Sequence, residues 1–96
     1  ITLSNRSPWL IETIKALENL GGQGTLQEIY DQVEKSSQID LTSYVDWKAQ
    51  IRKHIYLNSS DTEVFNENPH FDNDIFYAVE GKGKGIWGLR SHNTTR

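Results

Sequence analysis

The sequence predicts a small α+β domain, three helices followed by a two-stranded β-hairpin, and three observations carry that prediction. Ser7-Pro8 stands ahead of a stripe of Leu10, Ile14, Leu17 and Leu20, while Thr25-Leu26-Gln27-Glu28 stands ahead of Ile29, Tyr30 and Val33. Each is a helix start followed by apolar residues at three- and four-residue steps. Late in the chain, the apolar runs Ile75 to Val79 and Gly85 to Leu89 flank Glu80-Gly81-Lys82-Gly83-Lys84, which reads as two strands around a glycine-rich turn. With 96 residues there is room for one such domain.

Residues 1–7 read as a linker, 8–90 as the domain and 91–96 as a C-terminal tail. The chain starts at Ile1 and contains no Met, so it is expected to be a module of a longer parent protein. Pro8 suits the first position of the first helix, and Gly21-Gly22 supplies the left-handed residues that end one. Gln23 to Thr25 is a short extended stub, and the capping box at Thr25 to Glu28 then starts the second helix. After a polar connection from Lys35 to Leu41, Thr42 or Ser43 is expected to cap a third helix running to about Leu57, with Asp46 on its positive first turn. Steps of 100° place Tyr44, Trp47, Ile51, His54 and Ile55 on the core-facing side of that helix. Val45, Ala49, Gln50, Arg52, Lys53 and Tyr56 fall on the other. Asn58 to Asp74 is a long acidic connection in which Phe65 and Phe71 are expected to fold back over the core.

The net charge of −3 conceals a sorting by segment. Residues 1–46 carry three basic and seven acidic side chains, whereas 47–57 carry Lys48, Arg52 and Lys53 with no acid. Residues 58–81 hold six acids and no base; 82–96 hold Lys82, Lys84, Arg90 and Arg96 with no acid. A polyanion responds to such local patches, since charges beyond about 8 Å are screened at physiological salt. The absence of Cys excludes disulfides, thiolate nucleophiles and Cys-based zinc sites, and suits the reducing cytoplasm. No apolar run approaches the roughly 20 residues of a membrane span. Three Asn-x-Ser/Thr triplets are common by chance and carry no weight.

Helix, strand stub, helix, outward-facing helix and a hairpin with a Gly/Lys tip make the architecture of a winged helix. The details narrow it: Gly21-Gly22, Thr25-Leu26 with Glu28-Ile29-Tyr30, Trp47 with Ile51-Arg52, Ser59-Ser60-Asp61, Asp74-Ile75-Phe76, and Gly81-Lys82-Gly83 with Gly85 through Arg90. Together, over Pro8 to Arg90, they resemble a winged-helix family fused to bacterial restriction endonucleases. Some of that group are similar to the reader domains of enzymes that depend on adenine methylation. The resemblance implies a non-catalytic, cofactor-free specificity module that binds double-stranded DNA, including DNA carrying N6-methyladenine, for a nuclease domain elsewhere in the parent.

On this reading the third helix enters the major groove, where an α-helix fits. Gln50 is placed to bond adenine bidentately, Arg52 and Lys53 to read guanine or hold phosphate, and Lys48 to hold phosphate. Val45, Ala49 and Tyr56 offer apolar contact to methyl groups standing in that groove. Lys82 and Lys84 at the wing tip, and Ser59 and Ser60 beyond the helix, are candidate backbone contacts. Beside each stands a plainer account: an ordinary solvated helix face, Val45 packed on the second helix, Ala49 as a helix former, a flexible hairpin, and serines that cap a turn. The competing function is a winged helix that binds protein and not DNA.

Other constellations point to structure. Trp47 lies on the inward stripe, Trp87 alternates along a strand, and His54 faces inward with no second ligand at helical spacing. Gly81-Lys82-Gly83-Lys84-Gly85 lacks the following helix and the Lys-Ser/Thr ending of a P-loop. Asp74 and Glu80-Gly81-Lys82 spell the carboxylates and lysine of a metal-dependent nuclease. They stand at opposite ends of one short strand at about 3.3 Å per residue, too far apart to share an ion. His70 to Asp74 has the composition of a weak cation site, and a solvated loop is the simpler account.

Overall fold

Each of the first two helices forms where its cap and its apolar stripe coincide. The computed structural model describes residues 7–36, 39–66, 68, 73–81 and 83–93. Helix α1 spans Pro8–Asn19, with Ser7 Oγ accepting from the Trp9 amide at 3.2 Å and Pro8 in the first turn. It buries Trp9, Leu10, Ala16 and Leu17, and buried Thr13 returns its hydroxyl to Trp9 O at 2.7 Å. Gly21 takes φ +88° to end the helix. The Gly21 and Gly22 amides then donate back to Glu18 O at 3.1 Å and Leu17 O at 2.8 Å, which satisfies carbonyls the helix leaves open.

Strand β1, Gln23–Thr25, leads into α2, Leu26–Ser36. The capping box is reciprocal: the Glu28 amide donates to Thr25 Oγ1 at 3.1 Å and the Thr25 amide to Glu28 Oε1 at 2.8 Å. A 3-10 turn follows at Leu41–Ser43, then α3 at Trp47–Leu57, β2 at Phe76–Ala78, β3 at Ile86–Leu89 and a short helix α4 at Arg90–Asn93.

The expected two-stranded hairpin is part of a three-stranded antiparallel sheet in the order β1-β3-β2, because the stub at Gln23–Thr25 pairs with β3. Gly24 stands opposite Trp87, and Ala78 stands opposite Trp87 from the other side. Gly88 faces Tyr77, and a Cβ there would meet Tyr77 Cε1 at 2.6 Å, so only glycine lets the ring lie across the strand. The core joins α1 (Leu17), α2 (Ile29, Val33), α3 (Ile51, Ile55) and the sheet (Phe76, Trp87, Leu89). Among the described residues no helix is long and apolar enough to cross a membrane.

The start of α3 departs from expectation. Thr42 and Ser43 do not cap it. Asp40 takes the Thr42 amide at 3.2 Å, the Thr42 hydroxyl at 2.6 Å and the Ser43 hydroxyl at 2.9 Å, so the hydroxyls are spent on the 3-10 turn. Asp46 is the cap, accepting from the Ala49 amide at 3.2 Å. Tyr44 therefore precedes the helix: it is exposed, with one edge against Trp9 at 4.9 Å between ring centroids, and is not a core residue.

Beyond α3 the acidic connection is tied back. The Ile75 and Phe76 amides donate to Asn58 O at 2.7 and 3.1 Å, and Asp61 Oδ2 accepts from the Ala78 amide at 2.8 Å. Phe65 is half-buried. The other expected lid, Phe71, lies outside the described residues, as do His70 and Asp72 of the candidate cation run.

Candidate nucleic-acid interface

Helix α3 turns Ile51 and Ile55 into the core, so its opposite side is centred on Lys53, with Ala49, Gln50 and Leu57 beside it. Lys53 and Leu57 are exposed and Ala49 and Gln50 half-exposed, which keeps these positions available to a partner. Leu57, with nearly half its surface in solvent, is an exposed apolar group absent from the periodicity reading because it closes the helix. His54 is half-buried with Nδ1 2.8 Å from Gln50 O, and Trp47 is half-buried edge-on to Tyr30.

The remaining predicted residues separate into three groups. Val45 sits in the turn just before α3, and neither on the helix nor against α2; it is fully exposed. Lys48 is exposed but held, its Nζ 5.4 Å from the Tyr30 ring centroid and 5.8 Å from that of Trp47. Arg52 turns toward α2: Nη1 donates to Tyr30 Oη at 3.0 Å, and Nη2 lies 3.9 Å from Asp46 Oδ2. That hydroxyl, first among the causes, raises the guanidinium's pKa above its ordinary value, so the charge is permanent. Arg52 thus flanks the outward face instead of standing on it.

Tyr56, Ser59 and Ser60 do not stand where a ligand would meet them as expected. Tyr56 is half-buried against Trp87, ring centroids 5.7 Å apart, because the sheet covers that edge of the helix. Ser59 is fully buried and its Oγ accepts from the Asp61 amide at 3.2 Å, which closes it to phosphate. Ser60 is exposed, yet its amide and hydroxyl donate to Asp74 at 2.8 and 2.7 Å. Asp74 also accepts from Arg90 Nε at 2.9 Å, and Arg90 Nη2 reaches Asp61 Oδ1 at 3.3 Å. Both Asp74 oxygens accept hydrogen bonds within this clasp. Among the described residues no three His, Asp or Glu side chains converge as metal ligands.

At the hairpin turn Lys84 is exposed, and Lys82 lies outside the described residues. Gly83 nonetheless fixes where the turn sits. With Tyr56, Thr62, Glu63, Val64 and Trp87 it lines a surface cleft of about 240 Å³, so the turn borders the C-terminal half of α3. No protein-family model, curated protein or solved structure shows significant similarity to the chain.

Tyr30 is the residue that sequence reasoning missed. It reads as one more apolar position of the α2 stripe, and it is indeed buried, but its ring and hydroxyl meet both Lys48 and Arg52. The signal was present in part, since Lys48 and Arg52 are four apart and share a helix edge.

Proposed function

We propose that the domain is a winged helix that binds double-stranded DNA, with α3 in the major groove and the β2–β3 turn against the backbone. It serves as the specificity module of a cytoplasmic, bacterial restriction endonuclease whose nuclease lies elsewhere in the parent. The observation that supports the reading is the surface cleft lined by both Tyr56 and Gly83, which sets the hairpin turn beside the C-terminal half of α3, at the edge that flanks its exposed face. One duplex could then be touched by helix and turn together. Gln50 and Lys53 supply base-edge chemistry, Lys48, Arg52, Lys82 and Lys84 supply backbone charge, and the domain itself carries no reaction.

The methyl-reading refinement rests on Val45 and Ala49. A fully exposed valine beside a recognition helix has no packing role to explain it, and it offers the apolar contact that a thymine or N6-methyladenine methyl group requires. With so few bases on α3, selectivity is favoured over indiscriminate phosphate affinity.

A labelled duplex titrated against the domain at two salt concentrations tests the core proposal. Binding near 50 mM salt that weakens steeply on raising it is the expected result, whereas no binding, or affinity indifferent to salt, rules it out. Repeating the titration with unmodified, adenine-methylated and cytosine-methylated duplexes tests the refinement, and equal affinities remove it.

A second reading has one observation in its favour. The cleft has an aromatic floor of Tyr56 and Trp87, with Val64 more than half exposed on its rim and exposed Leu57 next to Tyr56 in the chain. Exposed apolar groups beside a cleft suit a protein partner. A domain that ignores duplexes but binds the rest of its parent chain would establish that reading.

A further inference from the structure

We infer that Tyr30, Lys48 and Arg52 form a preorganised station for one DNA phosphodiester, at the edge where α3 meets α2, with Tyr30 as its positioning residue. This rests on the DNA-binding reading and adds to it a site outside the base-reading face. Lys48 and Arg52 are one helical turn apart on α3, and both converge on the same tyrosine. The Tyr30 hydroxyl accepts from Arg52 Nη1 at 3.0 Å, and the Tyr30 ring, set at 84° to Trp47, lies beneath Lys48 Nζ at 5.4 Å.

A neutral anchor is the decisive feature. A carboxylate would fix these side chains and cancel their charge, whereas a phenol and two ring faces fix them and leave both charges standing. Long basic side chains lose up to about 2 kcal/mol of rotamer freedom when they bind, and a side chain already held loses less. Among the described interactions the acid that faces Arg52 is Asp46, 3.9 Å away with 62% of its side chain exposed, so solvent screens it. Its other oxygen caps the helix through the Ala49 amide. Nη2 of Arg52 and the ammonium of Lys48 remain as the donors, a planar fork and a point charge, the pair suited to phosphate oxygens.

The test is a double-mutant cycle on duplex affinity. Tyr30→Phe keeps the ring and loses the hydroxyl, and we expect about 3- to 10-fold weaker binding, the range of one hydrogen bond. In an Arg52→Ala background the same change should have no further effect, because Tyr30 acts through Arg52. A purely packing role would give the same loss in both backgrounds and would overturn the proposal, as would full affinity in Tyr30→Phe. Arg52→Lys approaches the bond from the other side without touching the core. It should weaken binding while leaving the salt slope intact, and Lys48→Ala should lower that slope by about one phosphate contact. A slope unchanged by Lys48→Ala removes Lys48 from the station. Should the unaltered domain fail to bind duplex at low salt, the functional reading fails and takes the station with it. Loss of coupling with duplex binding intact removes the station alone.

Discussion

Arg52 and Arg90 both lie in stretches that contain no acid, yet the fold treats them oppositely. Arg90 is folded into carboxylates: Nε on Asp74 at 2.9 Å, Nη2 on Asp61 at 3.3 Å and on Ser60 Oγ at 3.2 Å, with Tyr77 against its plane at 5.9 Å. Arg52 is folded onto a phenol, with its acid at arm's length. The first arrangement neutralises a cation to fasten α3's far end to the sheet. The second orients a cation and preserves it. Whether a basic residue keeps its charge available to an anion is thus set here by its tertiary anchor, not by its neighbours in sequence.

The largest effect should come from the clasp. Asp74→Ala removes the acceptor for Arg90 Nε and for both Ser60 donors, from a side chain only 12% exposed, and should cost about 2–3 kcal/mol in urea unfolding. Part of the usual buried-pair cost is absent because Arg90 is one-third exposed and keeps Asp61. Arg52→Ala should change stability by about 1 kcal/mol or less, since it loses one part-buried hydrogen bond and a long ion pair to an exposed acid, while weakening duplex binding. Equal destabilisation by the two substitutions would erase the contrast.

How much of this was legible in the chain follows the range of the interactions. Ser7-Pro8, the Thr25–Glu28 box and the Gly21-Gly22 ending are local, and each forms as read. The third strand was only a stub in sequence, because its partner β3 lies some sixty residues later. The start of α3 was misplaced because three hydroxyl or acid residues compete there within a few positions, and Asp40 captures Thr42 and Ser43 first. Among site residues, the exposed face at Ala49, Gln50 and Lys53 followed from periodicity. Ser59, Tyr56 and Arg52 did not, since burial under the sheet and the reach of Tyr30 from α2 carry no periodic trace.

A subtler change sharpens the same contrast by exchanging charge without shape. Asn caps a helix as well as Asp, so Asp46→Asn should keep stability within about 0.5 kcal/mol. It removes the only acid facing Arg52 among the interactions described, and should tighten duplex binding a few-fold with a steeper salt slope. Asp74→Asn, the same exchange in the clasp, should instead destabilise the domain, because there the negative charge is what Arg90 requires. If Asp46→Asn weakens binding, the acid is helping to place Arg52, and Tyr30 is not a sufficient anchor.

The smallest expected effect concerns the turn that delivers the chain to Asp46. The Thr42 and Ser43 hydroxyls, followed by the Thr42 amide, bond the charged form of Asp40 and hold its pKa below the ordinary 3.8. A depressed carboxylate pKa means stabilisation that is complete above the ordinary value and lost as pH falls through the lower, folded one. Asp40 is fully exposed, so the contribution is small and is read as a difference. At pH 7 the urea midpoint of Asp40→Asn should lie slightly below that of the unaltered domain, and the gap should close as the pH is lowered past the ordinary value of 3.8. Among the described interactions Asp40, unlike Asp74, binds its own turn alone, so this gap should not be accompanied by any loss of the β2–β3 pairing. A gap that did not narrow on acidification would mean that the turn depends on the shape of the side chain and not on its charge, and acid would then leave the placement of Asp46 and Arg52 undisturbed.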